Sequence, residues 1–493
     1  MAHYDVDLLV LGGGAAGLTA AGTAANLGAK TLIVERDRLG GDCTWTGCVP
    51  SKTLLHAADL RASAQTYLDR FAEDAPALPP VDFAAVMADV HHTREEIYQD
   101  ADAPEVLEGY GVEVVKGDAR FVGPNQVHVE LADGGARAVS FRMAVVCTGG
   151  RAAPPPIDGL DETPHLTNES LFEIDRLPDH LVILGAGPIG CEMGQAFRRL
   201  GSRVTVIDRS DRILGKDDAD HAAILQSVLE REGVQFVLGA DVERVEAAGE
   251  GVRVHVGGDH APIEGDRLLV ATGRTPNVEG LGLDAAGIAF TDKGITVDDR
   301  CRTSVDHIWA AGDCTGEYQL THMSEHMAKQ AVTNAILKVP AAIDRDGLTW
   351  TTFTAPEVAQ VGKTEAELDE DGASFVTYRF PYSKVDRALT EHAMDGHIKI
   401  HATRWRGTIL GASVVGARAG ELISLYAVAI KAGVSVREIS DTIVPYPTYG
   451  LAARRAADQY YIQKQFPLAI DAVKRVFGYR GETPPPPDPD RVI

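Results

Sequence analysis

The chain opens on an uninterrupted apolar run, Val6 to Leu11, which breaks into glycines and then a stretch of small residues reaching about Leu27. A short continuous apolar run bounded by turn residues suits a strand buried on both faces of a sheet. The pattern therefore predicts a strand, a glycine turn, a helix, and a second strand from Lys30 to Val34 that ends in Glu35. A near-copy begins at Leu181: LVILG, a glycine turn, the helix CEMGQAFRRL, and VTVID ending at Asp208. In both copies the acidic residue stands 23 positions after the first glycine, 12 to 35 and 185 to 208. Two such strand–turn–helix–strand units indicate an α/β chain with parallel sheets.

Between the copies, two helical stretches run from about Lys52 to Tyr110, interrupted by the turn-rich Ala75–Pro80. Alternating segments at Val112–Phe121, Gln126–Leu131 and Ala138–Cys147 read as strands, and LLVATGR closes the second unit at Arg274. From Thr349 the pattern changes to short strands (Phe375–Arg379, Gly396–His401, Thr408–Val415) followed by helices, a separate α+β domain. The tail after about Arg480, GETPPPPDPDRVI, has the composition of a disordered end.

The glycines give the two copies a chemistry. Gly12-x-Gly14-x-x-Gly17 and Gly185-x-Gly187-x-x-Gly190 each sit between a predicted strand and helix. Such glycines allow a tight turn and a close approach of backbone to a pyrophosphate, with the helix N-terminus facing the phosphates. The carboxylates of Glu35 and Asp208 stand where ribose hydroxyls are accepted. At the second site Asp208 suits the free 2′-hydroxyl of NADH and repels a 2′-phosphate. Arg209 and Arg212 follow it and suit that phosphate, so the reading leans to NADH with NADPH as the alternative.

Composition narrows the class. At 493 residues the chain exceeds one ordinary core. A formal charge of −24 repels nucleic acid and anionic membrane, so neither is an expected partner. No apolar run is long enough to cross a bilayer and no secretory signal is visible at the N-terminus, which makes a cytoplasmic location the default expectation. The acidic balance, with arginine far outnumbering lysine, is read first as the mark of a GC-rich genome, with a salt-rich habitat as the alternative. No metal site is expected.

Six cysteines in so long a chain are no disulfide framework. Cys43 and Cys48, in GGDCTWTGCVPSK, are nonetheless oddly placed. On an ideal helix, residues five apart have Cα atoms roughly 8.5 Å apart, whereas a disulfide needs less than about 7 Å. A bridge therefore requires a distorted first turn, for which Gly47 is suited. Two small buried residues at a helix start fit the same spacing.

With the glycine motifs, the C-x4-C pair, the segment AAGDC at Ala310–Cys314 and the stretch FTAPEVAQVG, the chain resembles the class I pyridine nucleotide–disulfide oxidoreductases, the family of dihydrolipoamide dehydrogenase and mercuric reductase. The resemblance implies two Rossmann-like dinucleotide-binding domains and a C-terminal α+β dimerisation domain. FAD would occupy residues 1–150 and 276–347, NAD(P) residues 151–275, and the homodimer interface residues 348–480, with 481–493 as a disordered tail. It also implies roles. Cys48 would be the thiolate stacked on the flavin, and Cys43 the interchange thiol that attacks an external disulfide. Lys52 would sit by the flavin ring, paired with Glu192. Asp313 would bind the ribityl chain, while Ala119, Thr148, Gly149 and Thr321 would contribute mainly backbone contacts to FAD. Val242 and Gly273 would line the nicotinamide nucleotide site. Cys147, Cys191, Cys301 and Cys314 would be structural. No C-terminal cysteine pair or N-terminal C-x-x-C module accompanies the motif, which argues against mercuric ion reduction.

One segment departs from the family. Its disulfide reductases carry His-Pro-Thr-x-x-Glu near the C-terminus, a proton-shuttling dyad; here the stretch is Tyr446-Pro447-Thr448-Tyr449-Gly450-Leu451. Histidine titrates near 6.5 and relays protons at neutral pH, whereas tyrosine near 10 donates but hardly acts as a base. The expectation is an FAD-dependent NAD(P)H oxidoreductase using Cys43 and Cys48 on an unidentified disulfide or other acceptor. A flavin-direct transhydrogenase, quinone or metal-ion reductase is the alternative, and a redox-sensing binding protein the third reading. Tyr446 either takes part in catalysis or only packs at the dimer interface.

Overall fold

The structure, a computed structural model, describes residues 3–72, 74–258, 260–463 and 467–482. Most of the predicted tail, from residue 483 on, lies outside the described residues. The chain forms two compact units: Met1–Gly185 with Ala196–Ile207 and Ala240–Ile343, and Ala186–Gln195 with Asp208–Gly239 and Asp344–Ile493.

The first unit grows from β1 (Val6–Leu11), α1 (Ala15–Asn26) and β2 (Thr31–Glu35), followed by α2 (Gly41–Trp45), α3 (Cys48–Phe71), α4 (Phe83–Ile97) and α5 (Pro104–Gly109). Three long strands come next: β3 (Val112–Gly123), β4 (Gln126–Leu131) and β5 (Ala136–Val146). β1 runs parallel to β2 and β5, β2 to β3, and β5 to the strand Ile308–Ala310. The parallel order is thus β3-β2-β1-β5 and Ile308–Ala310, with β1 at the centre. That is why five of its six residues are buried.

β3 and β5 serve two sheets. Residues Val112–Lys116 pair with β2, and from Gly117 onward the same strand pairs antiparallel with β4, which then pairs with β5. A Cβ on Gly117 would lie 2.4 Å from the Glu130 carbonyl oxygen, so the crossover requires glycine. The short strand β6 (Gly150–Ala152) pairs antiparallel with Arg274–Pro276. The helix α6 (Asn168–Leu171) precedes the second sheet, in which β7 (His180–Leu184) runs parallel to β8 (Arg203–Asp208) and to Arg267–Val270. Helix α7 (Pro188–Leu200) connects β7 to β8. The predicted elements are present with shifts of a few residues at their ends. The second of the two helical stretches, expected to end at Tyr110, is three pieces: α4, a π-helical turn at Tyr98–Asp102, and α5.

The second unit carries a five-stranded antiparallel sheet in the order Thr349–Thr352, Glu357–Gly362, Ile409–Gly416, His397–Thr403, Phe375–Pro381. Strand alternation divides its faces. Ile398, Ile400, Ala402, Ala412 and Val414 enter an apolar core with Tyr426 and Tyr460 from the following helices. His397, Lys399, His401 and Ser413 alternate with them and meet the start of α8 (Ala219–Glu232). There Lys399 Nζ bonds Asp218 at 3.1 Å, Asp220 at 2.5 Å and Glu365 at 3.1 Å. Burying an ammonium is tolerable only with such partners.

Asp217, next to this network, accepts Trp350 Nε1 at 2.9 Å, and burial pushes its carboxyl up to about 6. A carboxyl raised in the folded state binds a proton more readily there than in the unfolded chain. Its penalty is therefore full above pH 6 and is relieved as pH falls toward 4. Asp217→Asn keeps the indole partner and should stabilise the protein at pH 8 by about 2–3 kcal/mol, with no gain at pH 4. Urea unfolding at the two pH values measures this; equal effects at both would contradict it.

Candidate active site

The first glycine loop is built for a close-fitting backbone. Gly12 has φ +101°, and a Cβ there would sit 2.3 Å from the Cys147 carbonyl oxygen. A Cβ on Gly17 would fall 1.8 Å from the Gly12 carbonyl oxygen, so only glycine lets the head of α1 reach the loop. Gly14 is the N-cap of α1 and offers no side-chain cap, which leaves first-turn N–H groups to face an anion. Glu35 clasps the loop from the end of β2: its Oε2 accepts Gly13 N–H at 2.6 Å and its Oε1 Asp37 N–H at 2.8 Å. A cradle that a Cβ would fill, beside uncapped amides and a carboxylate, fits the adenosine diphosphate half of FAD.

The cysteines stand where the chain changes helices. α2 ends at Trp45, Thr46 and Gly47 break the winding, and α3 starts on Cys48. The Gly47 backbone lies so close to α2 that a Cβ on it would be 2.9 Å from the Asp42 carbonyl oxygen. The break places the two thiols in hydrogen-bond reach of one another. That bond, then burial, push the Cys43 thiol far above its ordinary range. Gly47 provides no side-chain cap either, and the positive end of the 24-residue α3 favours negative charge on the Cys48 sulfur. The Thr321 hydroxyl lies 3.3 Å from that sulfur. Thr321, expected to act through its backbone, thus also turns its side chain to the redox pair. Lys52 lies in the first turns of α3.

Residues outside the sequence motifs hold this segment. Trp45 Nε1 donates to the Leu39 carbonyl at 2.8 Å, and its own carbonyl accepts from the buried Arg94 of α4 at 2.9 Å. Thr44 Oγ1 donates to Asp102 at 2.6 Å, and burial raises the Asp102 carboxyl against that bond. Arg274 binds both Asp42, next to Cys43, and Asp313 at 3.2 Å. Burial raises Asp313, and Arg274 counters it. Such long-range ties leave no periodic signal in sequence. Thr148 and Asn277 exchange hydrogen bonds at 2.8 and 2.9 Å, and Gly149, at φ +67°, accepts Asn277 N–H at 2.9 Å. Ala119 stands farther out, opposite Val129 in the antiparallel extension. Cys147, Cys191, Cys301 and Cys314 are buried, and burial pushes Cys314 up to about 12.

The second loop repeats the clasp. A Cβ on Gly185 (φ +106°) would lie 2.5 Å from the Ala271 carbonyl oxygen. Asp208 accepts Ala186 N–H at 2.6 Å and Ser210 N–H at 2.7 Å. Gly187 and Gly190 flank the start of α7. Glu192, one turn into α7, is buried and accepts Phe353 N–H at 2.9 Å. Val242 opens the strand Val242–Ala248, opposite Val256, and Gly273 accepts Ala153 N–H at 3.0 Å. Arg212 spends its guanidinium on the carbonyls of Leu214, Gly215 and Asp217 at 2.7–3.2 Å.

Near the C-terminus Tyr446 is 70% exposed, and a hydrogen bond to Asp386 raises its hydroxyl above the usual tyrosine value. Tyr449 is buried against Tyr382 and donates to Glu391 at 2.8 Å.

Residues 6–328 match the family described as pyridine nucleotide-disulphide oxidoreductase, and residues 348–457 its dimerisation domain. A mercuric reductase of Streptomyces lividans is 35% identical over 93% of this chain and 97% of its own. A dihydrolipoyl dehydrogenase of Geobacillus stearothermophilus is 34% identical over 92% and 96%. Among solved structures, the Cu(II) complex of the HOCl-induced flavoprotein disulfide reductase RclA from Escherichia coli superposes with a TM-score of 0.80 at 28% identity, over 93% of this chain and 99% of that one.

The glycine geometry separates two otherwise similar substitutions. Gly17→Ala should abolish flavin retention. Gly22→Ala, on the same helix with nothing within 4 Å of the new Cβ, should keep it and stabilise by about 0.5–1 kcal/mol. The flavin-to-protein absorbance ratio of the purified variants decides this, and full occupancy in Gly17→Ala would contradict it.

Proposed function

The chain belongs to the pyridine nucleotide–disulphide oxidoreductases, and from that premise we propose that it carries electrons from NADH to the Cys43–Cys48 pair, and on to an acceptor whose release needs no histidine-borne proton. It is an FAD-dependent oxidoreductase of pyridine nucleotides with a C-terminal dimerisation domain. Bound FAD supplies the two-electron step between nicotinamide hydride and disulfide. The residues that would hold it are Gly12, Gly14, Gly17 and Glu35 at the adenosine end, with Lys52, Ala119, Thr148, Gly149, Asp313 and Thr321 elsewhere.

The observation that carries the reading is the hydrogen-bonded thiol pair at the head of α3. The net reaction takes NADH, a proton and a disulfide to NAD⁺ and two thiols. Cys48, at the helix N-terminus, takes the proton of Cys43 through their shared bond. The Cys43 sulfur then attacks the acceptor and expels the first thiolate, which takes that proton from Cys48; the Cys48 thiolate attacks the Cys43 sulfur to re-form the internal disulfide, and the second thiolate expelled is protonated from solvent. Tyr446, already donating to Asp386, is a poor base. Acceptors with acidic leaving thiols are therefore favoured over lipoamide or glutathione disulfide. Working as a homodimer, each site would face C-terminal residues of the second copy.

A second acceptor class, thiophilic or late transition-metal ions, is favoured by the relatives named mercuric reductases and by the copper-bound RclA. For the nucleotide, the engagement of Arg212 by backbone carbonyls leaves Arg209 as the one of the two arginines to oppose Asp208 at that strand end, which favours NADH.

Anaerobic NADH should generate long-wavelength charge-transfer absorbance that Cys48→Ser abolishes; direct bleaching of the flavin in the wild type would count against the dithiol route. The kcat/KM for NADH should exceed that for NADPH by roughly tenfold or more, about 1.4 kcal/mol. The double change Tyr446→His with Leu451→Glu should raise lipoamide turnover by about 10²-fold, the lower end of acid–base contributions. No change in rate would show that proton delivery does not limit that reaction. An acceptor series of acidic-thiol disulfides, Hg²⁺ and Cu²⁺ separates the two acceptor classes.

A further inference from the structure

Away from the glycine loops and the thiols, one cluster in the second unit brings electron-pair donors together without an evident structural need. His221, in the first turn of α8, is buried, and His397 lies on the polar face of the sheet. Their Nε2 atoms face each other at 2.9 Å, and the Asp220 carboxylate stands 3.2 Å from His397 Nε2. One ligand atom from each of the three residues lies within 4.8 Å of the other two. The rings meet edge to face, with centroids 4.5 Å apart.

We propose that Asp220, His221 and His397 form a binding site for a divalent late transition-metal ion, with Cu²⁺ held most tightly. At metal–nitrogen bonds of about 2.0–2.1 Å, nitrogens 2.9 Å apart subtend about 90° at a shared ion. The 3.2 Å nitrogen–oxygen separation corresponds to about 100° at bonds of that length. Angles near 90° are those of tetragonal Cu²⁺ or Ni²⁺, and two imidazoles with a carboxylate suit copper by the usual order of affinities.

A proton alone serves the three atoms poorly. If His221 Nε2 carries it, the His397 lone pair is left facing the Asp220 oxygen. If His397 Nε2 carries it, the N–H is split between two acceptors. The surroundings position the carboxylate as outer groups of a metal site do. Lys399 Nζ and the His221 N–H hold the Asp220 Oδ1 atom at 2.5 and 3.0 Å, which leaves Oδ2 for His397. The ammonium and the head of α8 add positive potential, but Asp218, Asp220 and Glu365 outnumber Lys399 and the Glu365-bound Arg379. The site is reachable: the side chains of Asp220 and His397 are 43% and 17% exposed.

The test uses the full-length, FAD-loaded protein carrying Cys43→Ser and Cys48→Ser, so that the redox thiols do not compete. After removal of metal it is titrated with Cu²⁺ and read by metal analysis after gel filtration and by electron paramagnetic resonance. One copper per chain with the splitting of two imidazole nitrogens is expected. His397→Ala should weaken binding by about 100-fold or more, since even outer-shell losses cost 10–100-fold. Because changes at buried His221 risk misfolding, thermal unfolding with Zn²⁺ gives a second readout: Tm rises in the parent and not in His397→Ala. Absence of bound copper, or uptake and spectra unaltered by His397→Ala, would overturn the site.

Discussion

A helix cannot bring residues five apart into covalent reach, and the chemistry here needs them there. The chain resolves this by ending α2 at Trp45 and starting α3 at Cys48, with Gly47 passing too close to the Asp42 carbonyl for any side chain. The break does two things together. It brings the sulfurs into a shared hydrogen bond, and it turns the positive end of a long helix toward the second of them. Neighbouring elements then keep the break in shape. Arg94 holds the Trp45 carbonyl, Asp102 holds the Thr44 hydroxyl, and Thr321 reaches the Cys48 sulfur from another helix.

The same economy governs the two nucleotide loops. In each, the first glycine adopts a positive φ against a neighbouring carbonyl, and the acid at the end of the second strand receives the N–H of the following residue. The carboxylate proposed for a ribose thus also pins the glycine loop, at the same spacing in both copies.

Proton handling differs between the thiols and the C-terminal segment. At the thiols, Cys43 shares a hydrogen bond with Cys48 that raises its thiol far above the ordinary range. At the C-terminal segment, Tyr446 is tied to Asp386 as a donor and has little capacity to accept. A disulfide exchange built this way depends on the acceptor's own acidity. In the second unit the sheet's polar face shows a related pattern, with alternate residues of one strand sent to a charged network instead of the core.

Sequence alone determined the parts that repeat or alternate: both strand–glycine–helix units, the acids at equal spacing, the cysteine pair, the change to an antiparallel domain near Thr349, and the tyrosine in place of histidine. Each is local, because a turn that only glycine can make or a strand buried on both faces constrains adjacent residues. What only the tertiary structure decided is which distant groups meet. The ties of Arg274 to Asp42 and Asp313, of Arg94 to Trp45, of Thr321 to Cys48, and of His221 to His397 join residues 39 to 273 positions apart. A single charged or polar side chain carries no periodicity, and its partner is selected by packing, where burial makes an unpaired group costly.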